Sequence, residues 1–135
     1  MNYSNLLNPA FEYAASVTRG DILACHDVQL ACQRFLDMAE RVDAPYEFVP
    51  ARAEHILKFV RFCSHVKGVE AGKPIVLQPF QVLLLAGIYG FRDRGDHSRR
   101  WVTDVIFFVP RKSGKTTIAS IIALYELLFG DAGAE

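Results

Sequence analysis

The sequence predicts an α/β chain that is helical to about residue 100 and then runs strand, loop, helix. Three observations carry this reading. Apolar residues recur at three- and four-residue spacing through the first two thirds of the chain, the mark of amphipathic helices. The run V-I-F-F-V at 105–109 has the unbroken apolar character of a strand covered on both faces. Between it and a second apolar run at 118–129 lies P-R-K-S-G-K-T-T, a polar turn that contains a glycine.

The elements follow in order. Asn8-Pro9 is expected to start a helix, with Asn8 capping and proline at the first helical position; Phe11, Tyr13, Ala14 and Val17 follow, and Gly20 stops it. Val28, Ala31, Cys32, Phe35, Ala39 and Val42 mark one face of a second helix that begins at His26 or Asp27 and ends by Pro45. Residues 46–49 form a short extended link. Ala53, Ile56, Leu57, Val60, Cys63 and Ser64 give a third stripe, closed at Gly68. Phe59 and Phe62 widen it, which predicts burial on two sides. His55 and His65 flank this helix without a Cys or Asp partner at metal spacing, so they read as satisfied or solvated histidines.

Gly72-Lys73-Pro74 is a turn and 75–77 a short extended stretch. Pro79 starts an almost wholly apolar helix over 80–89, with Gly90 as its cap. R-D-R-G-D-H-S-R-R reads as a loop. Residues 101–109 are the predicted strand, and the helix at 118–129 is apolar nearly all round, which predicts burial. Gly130 stops it, and D-A-G-A-E is expected to fray. No repeat or low-complexity tract is present.

Composition bounds the function. The 135 residues suffice for one compact core, and about half of them (51%) are apolar. Lys plus Arg and Asp plus Glu both number 15, so no global charge points to nucleic acid or to an anionic membrane. Arg92, Arg94, Arg99 and Arg100 form a local basic cluster, read as solvated and structural. The 3 cysteines, Cys25, Cys32 and Cys63, form no C-x-x-C and read as small buried residues of a reducing compartment. No charged-then-apolar signal opens the chain, and the longest apolar run, at 82–91, is about half of a spanning helix. A cytoplasmic protein without a membrane partner is the expectation.

The segment 105–117 carries the chemistry. A buried strand feeding a turn and then a helix is the setting in which backbone N–H groups wrap a phosphate and the helix dipole adds positive potential. Gly114, Lys115 and Thr116 fall on the last three positions of G-x-x-x-x-G-K-[ST]. In that pattern the lysine reaches the β- and γ-phosphates and the hydroxyl meets Mg²⁺. Thr117 follows. Val109 stands where the pattern has its first glycine, and Pro110 removes one N–H donor. Arg111 and Lys112 place two further cations beside Ser113, and an arginine there can stabilise a departing γ-phosphoryl group. Without a nucleotide, the same residues read as a strand–turn–helix unit with solvated cations.

Taken together, L-Q-P-F-Q, the apolar helix ending I-Y-G-F, R-R-W and V-P-R-K-S-G-K-T-T resemble the large terminase subunit of tailed bacteriophages. That resemblance is close over 71–130 and loose elsewhere. It implies a P-loop NTPase fold and an ATP-driven motor that packages double-stranded DNA into proheads. In that family the Walker A loop lacks the first glycine and carries an arginine at the position of Arg111, and a glutamine at the position of Gln81 reads adenine. Phe80 stands where the family usually has tryptophan. The resemblance implies ATP and Mg²⁺ as cofactors, with Mg²⁺ on Thr116 through the nucleotide. Gln81, Pro110, Arg111, Lys112, Ser113, Gly114, Lys115, Thr116 and Thr117 become the binding residues, with Arg111 and Lys115 catalytic. Viral DNA, the small terminase subunit, the portal protein and further copies in a ring become the partners.

Residues 1–70 then form an N-terminal helical region, and 71–135 begin the ATPase core. Walker B, the coupling motif and the nuclease domain lie downstream in the family. The sheet is therefore expected to be incomplete within this chain, which alone should be inactive. Its strand at 102–109 needs parallel neighbours and should expose its apolar faces. A non-catalytic nucleotide-binding or interaction fragment, and a Q-motif P-loop enzyme such as a helicase, are the competing readings.

Overall fold

The computed structural model describes residues 3–65, 69 and 71–130. The elements are α1 (Asn8–Arg19), α2 (His26–Glu40), β1 (Tyr46–Phe48), α3 (Pro50–Val60), α4 (Pro79–Tyr89), β2 (Phe91–Asp93) and α5 (Lys115–Phe129). The architecture is mixed α/β, rich in helix, with one two-stranded antiparallel sheet among the described residues.

Proline begins three of the helices because its fixed φ suits the first turn and its missing N–H would be unpaired there anyway: Pro9, Pro50 and Pro79 all sit there. α1 ends at Gly20, whose φ of 86° lets its N–H reach back to the last carbonyls. The expected cap at Asn8 is not formed: Leu7 is the N-cap, and no side chain bonds the first turn. α2 stops at Glu40, so Val42 lies beyond the helix and is exposed. α3 stops at Val60, earlier than its apolar stripe predicts. Phe62 is 88% exposed, and Ser64 turns aside to bridge Pro74. Gly68, the expected stop, and the tail 131–135 lie outside the described residues.

α4 packs against both α1 and α3. Its buried residues, Val82, Leu85, Ala86, Ile88 and Tyr89, join one core cluster with Leu7, Ala14, Val17, Phe35, Ile56 and Leu57. A ring cluster caps this core: Phe48 meets Phe91 at 5.2 Å, and Phe11 meets Phe35 at 5.0 Å.

The segment after α4 is not simply a loop. Phe91–Asp93 is β2, paired with β1 in the register Tyr46↔Asp93, Glu47↔Arg92, Phe48↔Phe91. On its other edge the Trp101 N–H donates to the Phe91 carbonyl (3.0 Å) and the Asp93 N–H to the Arg99 carbonyl (3.0 Å). The Asp93 carboxylate accepts the N–H groups of Gly95 (2.9 Å) and Asp96 (3.2 Å), which turns the chain back.

The predicted strand at 102–109 is not formed: these residues are in neither helix nor strand and join no sheet among the described residues. Ile106 is 95% and Phe108 98% exposed. The apolar run therefore lacks the two-sided cover its composition calls for, as expected of a strand without neighbours. α5 departs from expectation in the same way. It buries Ile118, Ile121 and Tyr125 but exposes Leu124, Leu127, Leu128 and Phe129, so it is covered on one face instead of all round.

Candidate nucleotide-binding site

Residues 110–117 join the 102–109 segment to α5 by a tight turn. Lys112 has φ 65° and Gly114 φ 78°, so left-handed residues stand on either side of Ser113. Lys112 is the single non-glycine residue at positive φ among the described residues. That conformation costs an L-residue roughly 1–2 kcal/mol, and such strain concentrates at functional loops. Val109 has no positive φ. The left-handed turn is made by Lys112 and Gly114, and the position of the missing consensus glycine has no need of one.

Gly114 is the N-cap of α5, and its carbonyl accepts the Ile118 N–H at 2.9 Å. The N–H groups of Lys115, Thr116 and Thr117 are thus the first three of the helix and have no acceptor within it. No acidic side chain occupies this first turn. The turn and helix end present donors and a positive dipole to an anion.

Arg111, Lys112, Lys115 and Thr116 are exposed, while Ser113, Gly114 and Thr117 are half-buried. Arg111, Lys112 and Lys115 form no ion pair among the described residues, whereas Arg19, Arg94 and Arg100 each face a carboxylate. Three cations within five residues of a helix start set the local potential for a polyanion. Thr116 places a hydroxyl beside these N–H groups. Among the described residues no three His, Cys, Asp or Glu side chains gather into a metal cluster. A hydroxyl plus phosphate oxygens and water suits Mg²⁺, which keeps much of its hydration shell.

Gln81, on the first turn of α4, reaches this loop. Its Nε2 donates to the Ser113 carbonyl at 3.3 Å, and its Oε1 accepts the Gln78 N–H at 2.9 Å. Lys115 also lines a groove of about 290 Å³ between α4, α5 and the 102–109 segment, together with Leu84, Ile88, Val105 and Phe107.

The far end of α5 is fastened by residues whose role the sequence did not reveal. Tyr125 accepts or donates a 2.7 Å hydrogen bond with His55 Nδ1 and meets the Tyr89 ring at 5.0 Å. The Tyr89 hydroxyl donates to Glu126 at 2.8 Å, and Arg100 binds the same carboxylate oxygen while lying 5.5 Å from the Tyr89 ring centre. Burial, then the Glu126 hydrogen bond, pushes the Tyr89 phenol far above its usual range. The one signal in the sequence was polar Tyr89, Tyr125 and Glu126 set into apolar helices.

The basic cluster is structural, with Arg94, Arg99 and Arg100 exposed as expected and Arg92 the exception. Arg92 is buried, its Nε donating to the Tyr89 carbonyl at 2.9 Å. Arg94 donates to the carbonyls of Ala44 (2.7 Å) and Tyr46 (2.9 Å) and pairs with Glu47. Cys25 corrects another expectation: it is exposed at the start of α2, while Cys32 is buried and Cys63 half-buried.

A left-handed glycine turn thus leads a lysine and two threonines into the start of α5. Residues 79–135 match the family model described as the terminase large subunit, ATPase domain, which bears out the resemblance read from the sequence. The match takes in Gln81, the loop and α5. No curated protein and no solved structure matches the chain. Among the described residues no helix is long and apolar enough to cross a membrane.

Proposed function

We propose that residues 71–135 begin the P-loop ATPase core of a phage terminase large subunit, a cytoplasmic ATP-driven motor that packages double-stranded DNA into proheads, and that residues 1–70 form the helical region supporting it. The observation that carries this reading is the turn at 112–114, with Gly114 at φ 78° leading directly into the Lys115-Thr116-Thr117 helix start.

The main-chain N–H groups of 113–117 surround the β-phosphate, and Lys115 neutralises the β- and γ-oxygens. The Thr116 hydroxyl would hold Mg²⁺, which would supply charge neutralisation at the phosphates. Lys112 adds general positive potential. Arg111 acts on the charge that grows on the γ-phosphoryl group in the transition state. Pro110 fixes the entry to the turn. Gln81 offers adenine its remaining donor and acceptor, which fit the N7 and N6 amino edge; guanine presents O6 there and breaks the pairing. DNA, the small terminase subunit, the portal protein and neighbouring copies of the motor are the partners this reading brings.

The exposed 105–108 run fits a strand that takes its neighbours from elsewhere in such a core. The product of the natural reading frame should consume ATP in response to double-stranded DNA and should package it. Lys115→Ala should abolish both, and DNA-stimulated turnover that survives this substitution would overturn the proposal.

A further inference from the structure

One amide holds two elements that lie far apart in the sequence. Gln81 Oε1 accepts the Gln78 N–H at 2.9 Å, within the first turn of α4, and Gln81 Nε2 donates to the Ser113 carbonyl at 3.3 Å, within the loop. The fit at the loop is close: a Cβ added to Gly114 would lie 2.7 Å from Gln81 Nε2. Gly114 therefore meets two demands, a left-handed backbone and room for this amide. α4 is itself anchored in the core through Leu85 and Ala86, both 0% exposed. It is a fixed platform, whereas the loop follows residues 102–109, which pair with no strand among the described residues.

We infer that Gln81 is a positioning residue for the phosphate loop, bracing the Ser113–Gly114 peptide against α4 so that the N–H groups of 115–117 hold their direction before any ligand arrives. This rests on the nucleotide reading of the loop but goes beyond base recognition. A residue that only reads the base has no effect on a ligand without one. A brace affects every ligand that the loop holds, because a pre-ordered cradle loses less entropy on binding. The amide can do both, since its nitrogen has a second hydrogen and its oxygen a second lone pair.

Two variants separate the possibilities. Gln81→Glu keeps an oxygen for the Gln78 N–H but cannot donate to the Ser113 carbonyl at neutral pH. Gln81→Ala removes both contacts without adding charge. Amide hydrogen exchange on the ligand-free chain should quicken about fivefold at Ile118, whose N–H is held by the Gly114 carbonyl of the loop (2.9 Å), in Gln81→Glu, the fold-change of one net hydrogen bond, while the centre of α4 stays protected.

Calorimetric titration with magnesium tripolyphosphate, which has no base, should show weaker binding by a similar factor in Gln81→Ala. Unchanged Ile118 exchange in Gln81→Glu, or unchanged tripolyphosphate affinity in Gln81→Ala, would overturn the brace. Absence of any tripolyphosphate or ATP binding by the parent chain would overturn the nucleotide reading instead, and the exchange measurement would still decide whether Gln81 braces the loop.

Discussion

Gly90→Ala sets two physical effects against each other. Gly90 has φ −79° and ψ −33°, an ordinary helical conformation that alanine adopts readily. Backbone entropy alone therefore favours alanine by about 0.4–1 kcal/mol. The space does not. An added Cβ would overlap the Phe48 ring, meeting Cε2 and lying 2.8 Å from Cδ2. The ring cannot simply turn aside, because Phe91 stands 5.2 Å, Phe11 5.6 Å and Phe35 6.0 Å from it. The backbone cannot retreat freely either, since the Gly90 carbonyl accepts the Val49 N–H at 2.7 Å. Overpacking of this kind costs about 1–3 kcal/mol, so the net effect should be a loss of about 1–2 kcal/mol. Urea unfolding followed by circular dichroism should show a lower midpoint with an unchanged slope. Phe48→Leu combined with Gly90→Ala should lose less than the sum of the two single changes. A midpoint for Gly90→Ala equal to or above the parent's would refute the packing of α4 on β1.

Other consequences are as direct. Cys25 should react with a thiol reagent at once, Cys63 more slowly, and Cys32 only on opening of the fold, since burial raises the Cys32 thiol as well as shielding it; equal rates for all three would contradict the placement of α2. Tyr89 keeps its proton in the folded state at a pH where the unfolded chain, with a tyrosine pKa near 10, releases it. Its contribution to stability is thus complete below about pH 10 and is lost as pH rises further. The phenolate absorbance of one tyrosine should appear only with unfolding, and Tyr89→Phe should flatten the alkaline decline. Arg111→Ala, in the product of the natural reading frame, should leave nucleotide affinity nearly intact and lower kcat by about a hundredfold or more. Arg111→Lys should also be impaired, because an ammonium lacks the planar fork; normal kcat in either would return Arg111 to a solvated surface role.

Much of the helical framework was legible because its signals are local. Pro9, Pro50 and Pro79 mark helix starts, Gly20 marks a stop, and apolar spacing marks the buried faces. β2 was not legible. Phe91-Arg92-Asp93 has a polar centre, and its strand exists through pairing with Tyr46–Phe48, far away in sequence. Arg92 can be buried there because backbone carbonyls receive it, those of Tyr89 and Ser98 among them. α5 was misjudged for a different reason. Composition tells which surfaces favour burial, but whether a neighbour covers them is a tertiary fact. The loop divides in the same manner: Gly114 and Lys115 stand out by spacing alone. The left-handed Lys112 and the reach of Gln81 to Ser113 depend on geometry that no local pattern records.

Titration of MgATP into the chain and into its Lys115→Ala variant tests the central claim, that residues 110–117 hold a nucleotide triphosphate, most directly. A charge-assisted contact to phosphate contributes about 1.5–3 kcal/mol, so the variant should bind at least roughly tenfold more weakly. The parent should show saturable binding that magnesium tripolyphosphate displaces. Equal affinity in the two proteins, or binding that tripolyphosphate leaves in place, would contradict the phosphate-loop reading.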